Sequence, residues 1–215
     1  MALGYGGHHE WRDMSEYLVH LTDSLASLAS IFRSGTVEAR TAYGAVCKHE
    51  ALRESQRVVC LSEIPLDHLS RLAEKHGSYG VAFRKTTLRD HGATPVWYLE
   101  RGNPVQQHLF EMVREAAYRN QPDLKDALWQ VTPFIDYPGV YRDREFKWEW
   151  EREWPVLGNL RFESEAVPFV FAPQSDHDDV RRRWSQMLSP SPLPVLLDAK
   201  WPLPLIQEVA EREEL

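Results

Sequence analysis

Arg144-Glu145-Phe146-Lys147-Trp148-Glu149-Trp150-Glu151-Arg152-Glu153-Trp154-Pro155-Val156 alternates aromatic and charged residues almost without a break. In an extended strand, successive side chains point to opposite faces. Phe146, Trp148, Trp150 and Trp154 then share one face, interrupted by Arg152, while Lys147, Glu149, Glu151 and Glu153 share the other. The stretch predicts a single strand anchored on a core by its tryptophans. Three carboxylates on one strand face repel each other, and burial would raise their pKa values. Such a face is either a wetted outer surface or a place where a cation or a proton is handled.

Working outward, short β-prone runs recur at Tyr17 to Thr22, Thr36 to Ala39, Arg57 to Ser62 and Tyr79 to Arg84. Further runs lie at Thr94 to Leu99, Leu160 to Phe162, Val167 to Phe171 and Val195 to Asp198. Asp23 or Ser24 can cap a helix carrying Leu25, Leu28, Ile31 and Phe32 at helical spacing, with Gly35 ending it. Helices are also expected from Asp67 to about Lys75, for one turn over Thr86 to His91, and from Asp176 to Met187 and Pro204 to Glu213. Pro104 opens the longest, to about Arg119, with Val105, Leu109, Met112, Val113 and Ala116 on one stripe. A weaker helix spans Leu124 to Thr132, and residues 40–56 read mostly as loop. Strands and helices mix without regular βαβ alternation, so the fold class is α+β around one mixed sheet. Residues 1–14, rich in Gly and His, read as a flexible leader, and 15–215 as a single domain.

Hydrophobic residues make up 43% of the 215 and charged residues 27%, enough apolar surface for a real core. A net charge of −7 excludes a broadly basic, non-specific DNA coater, although Arg181, Arg182 and Arg183 leave room for a local basic patch. Cys47 and Cys60 lack CxxC spacing or a neighbouring His/Cys set, which argues against structural zinc and fits a reducing compartment. No window approaches 18 apolar residues, and no signal-peptide pattern opens the chain. The expected location is the cytoplasm, with no membrane partner.

Several clusters carry potential chemistry. His20 and Thr22 fall on one face of a strand that leads straight into a helix, where they could hold a ribose or an amide, or simply serve a capping region. Tyr79, with Gly77 and Gly80 close on either side, could stack on a flat ring because the glycine backbone leaves room, or could open an ordinary strand. Asp136 followed by Glu145-Phe146-Lys147 has the Asp…Glu-x-Lys order of metal-dependent nucleases, and Asp198-Ala199-Lys200 echoes it. Such short patterns arise by chance in a chain with 32 acidic residues. His8-His9-Glu10 and Asp176-His177-Asp178-Asp179 lack the ligand spacing of His-Glu-x-x-His, and no metal ligands are assigned.

Five blocks, in order, resemble AbiGi-type abortive phage infection proteins. They are His20 to Leu25 with Ile31 and Gly35, then Val59 to Leu66, Tyr79 to Lys85, Pro95 to Tyr98, and Glu151-Arg152-Glu153-Trp154. In that family the last block is usually followed by Arg, where this chain has Pro155. The opening block is also similar to the start of DarT-type ADP-ribosyltransferases. That likeness implies a split central sheet flanked by helices, ADP-ribosyltransferase-like, with NAD as cofactor. It further implies His20 and Thr22 on the nicotinamide-side ribose, Tyr79 stacked on nicotinamide, and Glu151 or Glu153 orienting the attacked ribose.

The reading is thus an antiphage protein that binds NAD or another nucleotide. Its alternatives are a non-catalytic antitoxin that binds a cognate toxin through an acidic face, and a Mg-dependent nuclease. Partners expected on these readings are a toxin or antitoxin protein and a nucleotide or nucleic-acid ligand.

Overall fold

The computed structural model describes residues 15–63, 68–118, 122–147, 149–186 and 193–212. The expected leader, His8-His9-Glu10 and Trp148 lie outside the described residues. In chain order the elements begin with β1 (Tyr17–Thr22), α1 (Leu25–Ser34), β2 (Thr36–Val37), β3 (Thr41–Ala42) and β4 (Arg57–Ser62). They continue with α2 (Leu69–His76), β5 (Tyr79–Arg84), α3 (Lys85–Asp90), β6 (Trp97–Tyr98), α4 (Pro104–Tyr118) and α5 (Leu128–Val131). Next come β7 (Ile135–Asp136), β8 (Gly139–Tyr141), β9 (Arg144–Phe146), β10 (Glu153–Leu157) and β11 (Leu160–Arg161). The last are β12 (Phe169–Phe171), α6 (His177–Trp184), β13 (Val195–Leu197) and α7 (Leu203–Arg212). The fold is α+β with a mixed sheet.

Contacts divide the chain into two units, one built from residues 15–37, 61–91 and 161–212, the other from 38–60 and 92–160. Strand β4 passes covalently from the second to the first between Cys60 and Leu61.

In the first unit the strand order is β4–β1–β5–β12–β13. Strands β1 and β5 are antiparallel over their whole length, from Tyr17 opposite Arg84 to Thr22 opposite Tyr79. Strand β12 runs antiparallel to β5 and parallel to β13. Alternation along β1 sends Tyr17 and Val19 into a cluster with Leu69, Ala73, Phe169, Phe171, Leu197 and Ile206. Leu18, His20 and Thr22 take the other face. Helix α1 starts where Ser24 Oγ accepts from the Ser27 amide at 3.2 Å, and it ends at Gly35 in the left-handed region (φ 58°). Of the two candidate caps, Ser24 fills the position. Phe32 and Trp184 meet edge to face at 5.0 Å and join α1 to α6. Lys85 and Glu63 form a buried ion pair at 2.5 Å, at 3% and 6% exposure.

In the second unit, β4 lies between β3 and β10, while β6 pairs parallel with β7 and β8 antiparallel with β9. Two apolar clusters hold it, one on Val46, Leu52, Val113, Ala117 and Trp129, the other on Leu99, Ile135 and Tyr137. The Trp129 and Gln56 backbone–side-chain contacts bind α5 to the segment before β4, with Gln56 Nε2 donating to the Trp129 carbonyl at 3.0 Å.

Two expectations are corrected here. The Trp/Glu ribbon is not one strand: β9 ends at Phe146, residues 149–151 form a 3-10 turn, Arg152 sits at φ 44°, and β10 starts at Glu153. The acidic face dissolves with it, since Glu149 is exposed, Glu151 buried and Glu153 half-buried. Helix α4 forms as expected, but its buried line is Gln106, Val113 and Ala117. Of the expected stripe, Val113 is buried and Leu109 and Ala116 pack on the Trp129 cluster, whereas Val105 and Met112 are left exposed.

Candidate functional site

The first unit places three of the expected residues on one surface. Directly opposed residues of an antiparallel pair project to the same side, as do residues two apart on a strand. Thr22 is opposite Tyr79 and His20 is opposite Val81, so His20, Thr22 and Tyr79 share a face, each of them half-buried. Glycines bring the neighbouring backbone close. A Cβ on Gly80 would lie 2.5 Å from the His20 carbonyl oxygen, and one on Gly77 2.3 Å from that of Thr22. Gly77 also adopts φ 108°, a conformation open to glycine. The Tyr79 hydroxyl donates to an Asp176 carboxylate oxygen just before α6. That bond raises the Tyr79 pKa to about 12 and holds Asp176 below its ordinary 3.8. The ring is therefore tethered at its far end.

The second unit carries a separate cluster of tyrosines and carboxylates. Tyr43 Oη donates to Glu153 Oε2 at 2.5 Å and lies 3.3 Å from Asp136 Oδ2. Tyr98 Oη reaches the same Glu153 oxygen at 3.2 Å and accepts from the Glu153 amide at 3.1 Å. Tyr98 and Asp136 are register partners in the β6–β7 pair, which explains their convergence. Burial raises the Glu153 pKa above 4.5, with Glu151 and Asp136 pushing the same way, while the two phenol donors oppose them. Burial and the same three carboxylates push the Cys60 thiol up, so it stays protonated and inert at neutral pH. Chemically, this is a carboxylate held in one position by two hydroxyls in a partly dry setting. Such a group can steady a developing positive charge or accept a proton.

Sequence reading found Glu151, Glu153 and, in another role, Asp136. It missed Tyr43 and Tyr98, whose contacts with Glu153 span 110 and 55 residues and leave no local trace. Asp176 was likewise missed as the partner of Tyr79.

The nuclease pattern is tied up in other contacts. Lys147 pairs with Glu145 at 2.7 Å in an exposed bridge. Asp198 accepts from the Gln174 and Lys200 amides, each at 2.8 Å. His177 is buried, its Nε2 3.1 Å from the Ala172 carbonyl, and Asp178 and Asp179 pair with Arg181 and Arg182. Among the described residues no group of three or more His, Cys, Asp or Glu is placed to hold a metal ion. None of the described helices is long and apolar enough to cross a membrane.

Fold and sites together define an α+β protein with a mixed sheet and two polar clusters, one on a strand–helix junction and one around the half-buried Glu153. Residues 29–185 match the family model described as "Putative abortive phage resistance protein AbiGi, antitoxin", and the chain belongs to that family. The resemblance carried by the five sequence blocks is thereby met, although His20 to Leu25 fall before the matched span. No curated protein matches the chain. Among solved structures it is similar to DarT of Thermus sp. 2.9 in complex with NAD+, at 11% identity over 86% of this chain and 96% of that one, with a TM-score of 0.43. A second structure of that DarT, in complex with ADP-ribosylated ssDNA, is 13% identical over 86% and 95%, with a TM-score of 0.42.

Proposed function

We propose that this AbiGi-family chain acts in phage resistance as an NAD-binding protein of ADP-ribosyltransferase type. The observation that carries the reading is the shared face of His20, Thr22 and Tyr79 at the junction of β1 with α1. It offers two hydrogen-bonding side chains beside an aromatic ring, the set that a ribose joined to a flat base requires. The tight backbone at Gly77 and Gly80 fixes that set, and Asp176 keeps the ring from swinging. His20 and Thr22 would hold the nicotinamide-side ribose, and Tyr79 would stack on nicotinamide.

Bound NAD supplies an activated bond between nicotinamide and ribose, whose cleavage builds positive charge on the sugar. A preplaced carboxylate stabilises such charge where it develops. The family resemblance gives this role to Glu151 or Glu153, and of the two it is Glu153 whose carboxylate Tyr43 and Tyr98 hold in place. The test is nicotinamide release from NAD by the purified full-length chain. Glu153→Gln is expected to lower the rate about 100-fold or more while NAD binding persists. Absence of both binding and release in the unaltered protein would refute the transferase reading.

A second reading follows from the family description as an antitoxin. On that reading the chain binds a toxin without catalysis, and Val105 and Met112, exposed and two turns apart on one side of α4, are the residues to vary. The acidic strand face first expected to meet a basic toxin does not form, so an apolar contact replaces it. Retention of a co-purifying partner at high salt, lost on Met112→Asp, would favour this reading.

A further inference from the structure

The first unit holds a cavity of about 630 Å³ at the C-terminal end of α1, well away from its capped N-terminus beside Thr22. Ten helical residues rise about 15 Å, which separates this cavity from the His20 face. Two of its lining residues are phenylalanines packed into the core, which hold its walls. Phe32 is 1% exposed and fixed against Trp184, and Phe162 is packed edge to face on Phe83 at 5.1 Å. Its rim is cationic and polar, carrying Arg33, Arg161, His91 and Thr87. Gly35 joins the two walls: its carbonyl accepts from the Phe162 amide at 2.9 Å, and its left-handed turn brings it close to the Phe162 carbonyl oxygen. The walls are thus set before any ligand arrives.

The charges on the rim are not spent internally. Among the described residues neither Arg33 nor Arg161 makes a side-chain hydrogen bond or an ion pair. One carboxylate, Glu163, also lines the cavity, so the guanidiniums outnumber it. The helix C-terminus would repel an anion, but Ser34 Oγ donates to the Ser30 and Ile31 carbonyls at 3.0 and 3.3 Å, and the Gly35 amide to that of Phe32. Arg33, in the last turn, offsets what remains. Exposed single charges attract an ion weakly in water. Two guanidinium side chains lining one cavity do better, because each can fork onto phosphate oxygens. The volume falls within the range of about 300–1,000 Å³ typical of small-molecule sites.

We propose that this cavity binds a small phosphate monoester, with Arg33 and Arg161 on the phosphate and the rest of the molecule between the segments 32–36 and 161–166 that line it. The site is separate from the proposed NAD face and stands whether or not that reading does.

The test is amide chemical-shift mapping of the full-length chain titrated with 5′-AMP, inorganic phosphate and adenosine. Saturable shifts are expected at residues 33–36 and 161–164 with 5′-AMP, weaker ones with phosphate, and none with adenosine. Arg33→Ala with Arg161→Ala should weaken 5′-AMP binding about tenfold for each arginine removed. The Arg33→Lys/Arg161→Lys protein, which keeps both charges, should lose less. His20→Ala should leave these shifts unchanged, which separates this site from the other. An absence of saturable shifts with both phosphates would overturn the proposal. So would binding indifferent to the two alanines, or binding of an oligonucleotide at these residues with no response to 5′-AMP.

Discussion

Thr22 stands directly across from Tyr79 in the β1–β5 ladder, and the Tyr79 hydroxyl is bound to Asp176 ahead of α6. One strand pair and one helix start therefore fix a single aromatic ring. Removing the hydroxyl should leave the ring and release the acid. In Tyr79→Phe, the Asp176 pKa should return toward 3.8, as read by carboxyl NMR titration. Asp176 contributes to stability above 3.8 and loses that contribution as pH falls through its lowered folded value, so the variant should lose this acid-side slope. NAD binding should survive Tyr79→Phe and weaken about tenfold or more in Tyr79→Ala, the usual worth of base–aromatic stacking.

Gly80 is the tightest point of that ladder on the β5 side. Gly80→Ala forces a methyl to within 2.5 Å of the His20 carbonyl oxygen and 2.6 Å of Leu21 Cδ2. Overpacking of this kind should cost about 1–3 kcal/mol, measurable as a fall in the urea midpoint at constant slope.

Glu153 makes an opposite demand on pH. Its folded pKa is raised above 4.5 by burial, so the folded state holds this proton more tightly than the unfolded chain. The associated stability is complete below 4.5 and is lost as pH rises through the raised value. Glu153→Gln keeps an acceptor for Tyr43 and Tyr98 but removes the titration. Urea unfolding across this window should show the slope in the parent protein and a flatter profile in the variant.

The Lys85–Glu63 pair is buried on both sides. Breaking it on one side, with Lys85→Met or Glu63→Gln, should cost about 3–5 kcal/mol, because the surviving partner is left in a dry environment. Replacing both together, as Lys85→Met with Glu63→Leu, should recover much of that loss in the same unfolding assay.

The strands that carry the proposed nucleotide face were readable from sequence because local rules suffice there. Tyr17–Thr22, Arg57–Ser62 and Tyr79–Arg84 are β-rich runs punctuated by Gly or Ser, and each forms over the expected residues. Ser24 and Gly35 mark the helix between them by capping chemistry alone. The Trp/Glu ribbon misled because perfect alternation says nothing about a turn placed inside it. A 3-10 turn and Arg152 at positive φ break the extended run, and Glu149 turns to solvent while Glu151 goes inside. Residues 40–56 were expected to be loop, yet Tyr43 is the shortest partner of Glu153. Its role is set by a contact 110 residues away, which no local pattern encodes. On α4 the apolar stripe was legible, but which of its neighbours the unit buries was settled by Trp129 and Leu52.

Calorimetric titration of the full-length protein with NAD bears most directly on the proposed function. Saturable binding, abolished by His20→Ala and weakened by Thr22→Val while the fold is retained, is the predicted result. Failure of the unaltered protein to bind NAD, or binding that His20→Ala leaves untouched, would contradict it.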